Sequence, residues 1–485
     1  MRKTNEGANA YDNAINACVE FFGKAGSLYD TPTKMSFYGN NTTAKALWID
    51  AFKEDGVTAL KLLFWLRDCR GGAGNRSGAR SIITHIAKTE PELMGVNLHL
   101  IPVHGRWDDL KALFNTPLST LAGSFWADAI KEGDVLAAKW ANRKFKPIRH
   151  ALNLKESEFR KLLAAIRKDH IVEYKMCQKQ WNKIDFKKVP SVAMARYTKC
   201  FDKNAHENFQ AYKAALTSGE AEVHADTLFP HDCIRTALYG DAEMAEHQFN
   251  ALPDYLEGTD EKIMVISDTS GSMSTRVGGS VEAIHVSMGM ALYCSSRVPK
   301  DSPFYKRFIK FCDEGSFCDW RDQTFKQAIN NKKIFNGAVG STRIDKALDL
   351  ILKIAVKREI PQRLMPTTLL IVSDMQFSSG AADSGYGWDS QGIKESEALT
   401  EIDKAMVRFE KAGYKKPKIV YWNTDGYEGT QETVNSENVG LVSGFSPSIC
   451  KAIFGGDDFT PYAIMSRAIE KYKVIIPTKE GNVEV

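Results

Sequence analysis

The sequence predicts two halves: an all-α helical-repeat array over residues 1–257, then an α/β domain with a mostly parallel sheet over residues 258–485. Three observations predict this. At 485 residues the chain exceeds what one hydrophobic core organises, so two or three domains are expected. Apolar residues recur at three- and four-residue spacing through the first half, as amphipathic helices require. In the second half short β-branched runs alternate with helical patterns, which gives a parallel sheet covered by helices. The boundary falls within DYLEGTDEK, residues 254–262.

In the first half the spacing predicts helices over residues 44–52, 57–66, 77–88, 154–166, 169–180 and 204–215. Within 154–166, Leu154, Phe159, Leu162, Leu163 and Ile166 share one face, while Lys155, Arg160, Lys161, Arg167 and Lys168 line the other. Short turns such as Gly71-Gly72 and Val189-Pro190 join the helices. Many helices with short connections indicate a stacked array rather than a single bundle, although no repeat period stands out.

In the second half the predicted strands are KIMVIS (262–267), RFIKFC (307–312), TLLIVS (368–373), KIVYW (418–422), VGLVS (439–443) and KVIIP (473–477). Helices are predicted over 281–296, 343–355, 395–412 and 462–472. In such a sheet, ligands sit beyond the carboxyl ends of the strands.

Composition excludes several classes. Hydrophobic content of 43% and charged content of 26% are those of a globular protein. No apolar run reaches the roughly 18 residues that a membrane span needs, and no secretory signal is expected at the start. The nine cysteines are odd in number and form no CxxC pair, which argues against structural zinc or a disulfide framework and for a reducing, cytoplasmic setting. Cys312, at a predicted strand end, is expected to be buried.

Net charge is +4 but uneven. Residues 139–203 hold 18 Lys and Arg against 6 Asp and Glu, a local +12, and the rest of the chain carries −8. A solvated helical face accounts for some such runs. A block this dense repels itself unless something compensates it, and that points to an anionic partner.

The chemistry-bearing pattern is Asp268-Thr269-Ser270-Gly271-Ser272, directly after the first strand and before a helix. Thr342 opens the next helix but one, and Asp374 ends the strand TLLIVS. At the carboxyl rim of one sheet these five residues offer three hydroxyls and two carboxylates. Hard oxygens of this kind suit Mg²⁺, Mn²⁺ or Ca²⁺ rather than zinc. Three neutral hydroxyls leave the ion electrophilic toward an outside carboxylate or phosphate. Strand-end turns are the alternative for the aspartates, and helix N-capping for Thr342. The loop 377–394, with Asp383 and Asp389, is either a gate or further ligand source for the metal, or a plain insertion.

This pattern resembles the metal-ion-dependent adhesion site (MIDAS) of von Willebrand factor A (vWA) domains. That resemblance implies Asp268, Ser270, Ser272, Thr342 and Asp374 as ligands, with Ser373-Asp374-Met375-Gln376 standing where those domains usually have TDG. TALKLLFWLRDCRGGAGNR (58–76), LHLIPVHGRWDDL (98–110), WNKIDFKKVPSVAMARY (181–197), WNTDGYEGT (422–430) and GLVSGFSPSICKAIFGG (440–456) resemble an uncharacterised family of eukaryotes, bacteria and large DNA viruses or phages. That family joins a helical domain to a vWA domain and is similar in architecture to the Ro autoantigen (TROVE) proteins, which form a HEAT-like ring and bind RNA.

If the likeness extends to function, the basic block is an RNA surface, and the protein is a ribonucleoprotein component with an acidic protein partner at the metal. The implied phosphate contacts are Lys139, Arg143, Lys144, Lys146, Arg149, Arg160, Lys161, Arg167, Lys168, Lys175, Lys179, Lys187, Lys188 and Arg196. Trp140, Phe145, Trp181, Phe186 and Tyr197 are candidates for stacking on bases, helix packing being the expectation for Trp181 and Phe186.

Catalysis is not expected. None of the ten histidines lies in an HExxH pattern and there is no GxSxG elbow. Gly72-Ala73-Gly74-Asn75-Arg76 lacks the GK[ST] of a P-loop and joins helices, so it is not a nucleotide site. Its neighbours Arg67, Arg70, Arg76 and Arg80 hold phosphate or simply pair with Asp68. A nuclease would need more carboxylates than this set offers to hold two metal ions.

Overall fold

The computed structural model describes residues 2–4, 7–28, 43–168, 170–278, 281–337, 339–378, 400–425, 433 and 436–485. The principal helices of the first half are α1 (Ala17–Lys24), α2 (Ala44–Glu54), α3 (Gly56–Arg67), α4 (Arg76–Thr89), α5 (Ser119–Lys131), α6 (Val135–Trp140), α7 (Lys146–Leu152), α8 (Glu156–Arg167), α9 (Ser191–Asn204), α10 (His206–Ser218), α11 (Pro230–Tyr239) and α12 (Ala242–Asn250). Side-chain caps fix where several begin. Asn16, Thr43, Asp55 and Asn75 each accept a hydrogen bond from an otherwise orphaned N–H in the first turn of α1, α2, α3 and α4.

The helix expected over 169–180 is cut to Val172–Cys177, and Lys179 with φ of +55° marks its exit. Residue 169 lies outside the described residues.

The second half is built on one six-stranded sheet. Its strands are β1 (Ile263–Asp268), β2 (Arg307–Phe311), β3 (Gly315–Asp319), β4 (Thr368–Ser373), β5 (Lys418–Asn423) and β6 (Val439–Ser443). Their spatial order is β3-β2-β1-β4-β5-β6. Every neighbouring pair is parallel except β2 with β3. All six residues of β1 and all six of β4 are buried, so these strands read as unbroken apolar runs rather than alternating ones.

Helices α13 (Ala283–Arg297), α14 (Ile344–Lys357), α15 (Glu401–Lys411) and α16 (Pro461–Ile469) accompany the sheet. α13 packs against β1, and α14 against β2 and β3. The helix expected from residue 395 begins after its cap Thr400, the residues before 400 lying outside those described.

Two strand expectations need correction. Residues 473–477 do not join the sheet: Ile475–Thr478 pairs with Gly481–Glu484 in a separate hairpin, because the chain reverses at once through Gly481, whose φ is +128°. Conversely, β3 has no counterpart among the predicted strands. Its sequence, GSFCD, carries no apolar run, as befits an edge strand that returns antiparallel from β2. Cys312 is half-buried rather than fully buried.

A single apolar core runs from α1 through the sheet, and a smaller one gathers Ile184, Phe186, Met194, Phe201 and Phe209 around α9 and α10. The start of the chain lies against the far strand of the sheet. The Ser443 hydroxyl donates to the Phe22 carbonyl at 2.7 Å and accepts from the Gly26 N–H at 2.9 Å. Gly26 must be glycine here, because a Cβ would meet the Ser443 backbone at 2.7 Å. Ser27 extends the seam, donating to the Asn423 carbonyl at 2.6 Å and accepting from the Gly444 N–H at 2.9 Å.

Candidate metal centre and basic surface

Strand order reverses between β1 and β4, since the chain leaves β1 toward β2 on one side and later resumes on the other. In open sheets of this kind ligands bind at such a switch point, beyond the carboxyl ends of the two strands. Asp268 is the last residue of β1, and Asp374 follows the last residue of β4. Both are buried, as are Ser270 and Thr342.

One carboxylate oxygen of Asp268 accepts from the Ser270 N–H at 2.8 Å, and the other from the Ser373 hydroxyl. The hydroxyls of Ser270 and Ser272 lie 3.1 Å apart. Ser272 in turn hydrogen-bonds Asp374, whose other support is the Gln376 N–H at 3.1 Å. Asp268, Ser270, Ser272 and Asp374 therefore form one connected constellation.

Thr342 stands on the adjoining loop. Its N–H donates to the Ser378 hydroxyl at 3.0 Å, and its carbonyl accepts from the Ser378 N–H at 2.9 Å. The same loop is laced to the turn after β1, the Gly340 carbonyl accepting from the Gly271 N–H at 2.8 Å. At Gly340 φ is +77°, and a Cβ would collide with the Asp313 carboxylate, so only glycine serves. Asp313 takes the N–H and hydroxyl of Ser341 at 2.9 and 2.7 Å, which hold its carboxyl below the usual range.

Electrostatics single out Asp374. Burial first, then the negative charges of Asp268 and Asp425, push its carboxyl up to about 8 against the pull of Ser272 and the Gln376 N–H. A carboxyl so placed holds its proton unless a cation offsets the neighbouring charge. Among the described residues no group of three or more His, Cys, Asp or Glu is arranged to hold a metal. The donor set here is of another kind, two carboxylates with serine hydroxyls, and its chemistry fits a hydrated hard cation.

Residue-by-residue reading of the sequence missed Ser373, which orients Asp268, and Asp425, which lies two residues past β5 and bears on Asp374. It also missed the backbone at Met375, where φ is +64° in a buried non-glycine residue, a strained conformation of the kind that clusters at functional sites. Of the loop 377–394, residues 379–394, with Asp383 and Asp389, lie outside the described residues.

The basic block divides by surroundings. Arg143, Lys144, Lys146, Arg160, Lys161, Lys168, Lys179, Lys187, Lys188 and Arg196 are exposed. Arg143 meets Glu156 at 3.3 Å and Lys188 meets Asp185 at 3.5 Å, both solvent-exposed pairs that hold little energy. Lys139, Arg149, Arg167 and Lys175 are half-buried. Lys139 pairs with Glu173 at 3.1 Å, and Lys175 reaches the Lys183 carbonyl at 3.3 Å.

Arg167 has a structural task. Its guanidinium donates to the carbonyls of Ala138 and Ala141, two of the acceptors left open at the end of α6, with Nε 2.7 Å from Ala138. Replacing Arg167 with Gln should therefore lower the melting temperature by several degrees, consistent with a loss of about 1–2 kcal/mol, whereas Lys168→Gln should leave it unchanged. A thermal melt of the two variants checks this.

The aromatics are mostly committed to packing. Phe186 is buried against Phe201, Phe209 and Tyr212, and Tyr197 and Trp181 border the same cluster. Phe145 lies 5.4 Å from Phe114 and 5.8 Å from Trp126. Trp140 is half-buried beneath the Arg106 guanidinium, 3.9 Å from its ring centre. The turn at 71–75 is internal: the Asn75 amide donates to the Ala25 and Leu28 carbonyls, and Asp68 accepts from Lys471 and Tyr472, each at 2.9 Å.

Comparison with known proteins agrees with an uncharacterised family. Residues 262–475 match the model of a domain of unknown function (DUF7788), and residues 119–265 match that of another (DUF2828). The chain is similar to the uncharacterized protein L728 of Acanthamoeba polyphaga mimivirus, at 24% identity over 533 residues, spanning 97% of this chain and 87% of the relative. Among the described residues no helix is long and apolar enough to cross a membrane.

Proposed function

We propose that the protein is a non-catalytic, cytoplasmic RNA-binding protein of Ro-like design. A basic helical half contacts structured or single-stranded RNA, and a vWA-type α/β half carries one divalent cation, Mg²⁺ or a close relative, for capture of a ligand or partner. The observation that carries the RNA reading is the run of exposed cations on and around α8. Arg160, Lys161 and Lys168 make no ion pair with a described residue, so their charge is available to an outside polyanion. Phosphates meeting these side chains release counterions, which makes binding steeply salt-dependent.

Filter binding of a labelled single-stranded RNA tests this. Affinity should fall at least about 10-fold between roughly 50 and 200 mM salt, on the order expected for several phosphate contacts. The pair Arg160→Glu and Lys161→Glu should remove most of what remains. Binding that ignores salt, or survives the charge reversal intact, overturns the RNA reading.

The cation reading is supported by the linked carboxylates and hydroxyls at the β1–β4 switch point, with Asp268, Ser270, Ser272 and Asp374 as ligands and Thr342 completing the set from the next loop. A bound cation there would supply an electrophilic centre for an acidic group of a protein partner, the second reading of this half. A partner retained on wild-type protein but lost with EDTA or with Asp268→Ala would favour that reading. One retained in all three conditions would exclude the metal from partner capture.

A further inference from the structure

The arginines before and within α4 meet the RWDDL stretch of residues 106–110 in a cluster that the basic block does not include. Asp109, fully buried, accepts from Arg67 Nε at 2.7 Å, Arg80 Nε at 2.6 Å and the Arg106 N–H at 2.9 Å. Asp108 receives Arg80 at 2.8 Å, Arg106 at 2.9 Å and Lys111 at 3.8 Å. Arg76, the first residue of α4, is exposed by surface area, yet its guanidinium is crowded by Arg106, Arg67 and Arg80. It makes no side-chain hydrogen bond or ion pair with a described residue.

Partial desolvation of the guanidinium by the groups around it, with those three like charges, pushes Arg76 down to about 10 even though part of the residue reaches solvent. Three guanidiniums and one ammonium thus share two carboxylates, and with Arg76 beside them three positive charges stay uncompensated. The arrangement is held in place as well as charged. Asp108 and Asp109 clamp Arg80 and Arg106, and the Arg106 guanidinium sits over the Trp140 ring, 3.9 Å from its centre, so these side chains are positioned before a ligand arrives.

We infer that Arg76, Arg80, Arg106 and Lys111 form a phosphate-binding site, with Arg76 as the free fork that closes on the anion. Guanidinium forks match a tetrahedral oxyanion in two-point contacts, and a phosphate would relieve the repulsion that the carboxylates leave. The site goes beyond the proposed RNA surface, which begins at Lys139. Trp140 joins the two, so an RNA backbone phosphate, an RNA 5′-phosphate and a free phosphate ester all present the required group.

Calorimetric titration of the full chain with inorganic phosphate, at constant ionic strength set by chloride, tests the site without RNA. Wild type should bind phosphate with at least about 10-fold higher affinity than Arg76→Gln, the loss of one charge-assisted fork, and Arg76→Lys should recover part of the loss. Because Arg76 makes no ion pair with a described residue and is repelled by its neighbours, its variant should fold with a melting temperature at least as high as wild type's.

The source of the phosphate follows from a labelled RNA with and without a 5′-phosphate. Loss of affinity in Arg76→Gln confined to the phosphorylated RNA assigns the terminal group, and equal loss for both assigns the backbone. RNA binding unaltered, with phosphate binding lost, assigns a small phosphate ester. Phosphate that binds no better than chloride, or equally well to Arg76→Gln, overturns the inference. If no RNA binds yet phosphate discriminates the variants, the RNA reading fails and this site stands.

Discussion

Asp374→Asn is expected to make the metal-free protein more stable while abolishing any stabilisation by Mg²⁺. The wild-type carboxyl is buried beside Asp268 and near Asp425, and its folded value is raised from 3.8 to about 8. The folded state therefore binds more protons than the unfolded chain between these values, and stability falls as pH rises from about 4 to about 8, then levels off. Below about 4 the group is protonated in both states and contributes nothing to the difference. Asparagine has no charge to bury, so its advantage should grow over that window to the order of 2–4 kcal/mol near neutral pH.

Thermal melts with EDTA at about pH 5 and about pH 8 would show the gap between variant and wild type widening with pH. With saturating Mg²⁺ the order should reverse, because only the aspartate supplies a full charge to the cation. A variant that is less stable than wild type at the higher pH in EDTA, or that still gains stability from Mg²⁺, would contradict this account. Strain of this sort, tolerated where a ligand is to bind, separates a functional carboxylate from a strand-end turn.

How much of this site could be read in the sequence depends on whether the signal is local. Asp268, Ser270 and Ser272 lie within five residues, and the strand before them is a run of apolar residues that can only be buried, so their place at the sheet edge follows. Asp374 is legible for the same reason, at the end of TLLIVS. Asp425 is not, because its influence on Asp374 depends on β5 lying beside β4. Met375 is not, because nothing about methionine announces a positive φ.

The sheet shows the same division. β1, β4 and β5 are apolar and continuous, whereas β3 owes its existence to the ladder offered by β2. In the helical half, charge density is plain from counting, but burial is not: Arg167 sits among surface cations in sequence and at a helix terminus in space.

The second large effect concerns the centre of the arginine cluster. Asp109→Ala should cost about 3–5 kcal/mol, because it strands the guanidinium of Arg67, a residue only 3% exposed, without its carboxylate. Against a typical total of roughly 5–15 kcal/mol for a domain, that is enough to lower the urea midpoint of the protein severely. Asp109→Asn should fall between, keeping an acceptor for the Arg106 N–H while losing the charge that faces Arg67 and Arg80.

The pair Arg67→Met with Asp109→Leu offers the sharper test. Replacing both partners of a buried ion pair with apolar side chains removes the desolvation cost along with the attraction, so the double variant should recover more than half of the single variant's loss. If the double variant is as unstable as Asp109→Ala, the deficit lies instead with Arg80 and the Arg106 backbone, whose donors an apolar side chain at that position cannot serve. If Asp109→Ala alone costs less than about 1 kcal/mol, the clamp is not what holds the arginines in place. Urea denaturation followed by far-ultraviolet circular dichroism distinguishes the three outcomes.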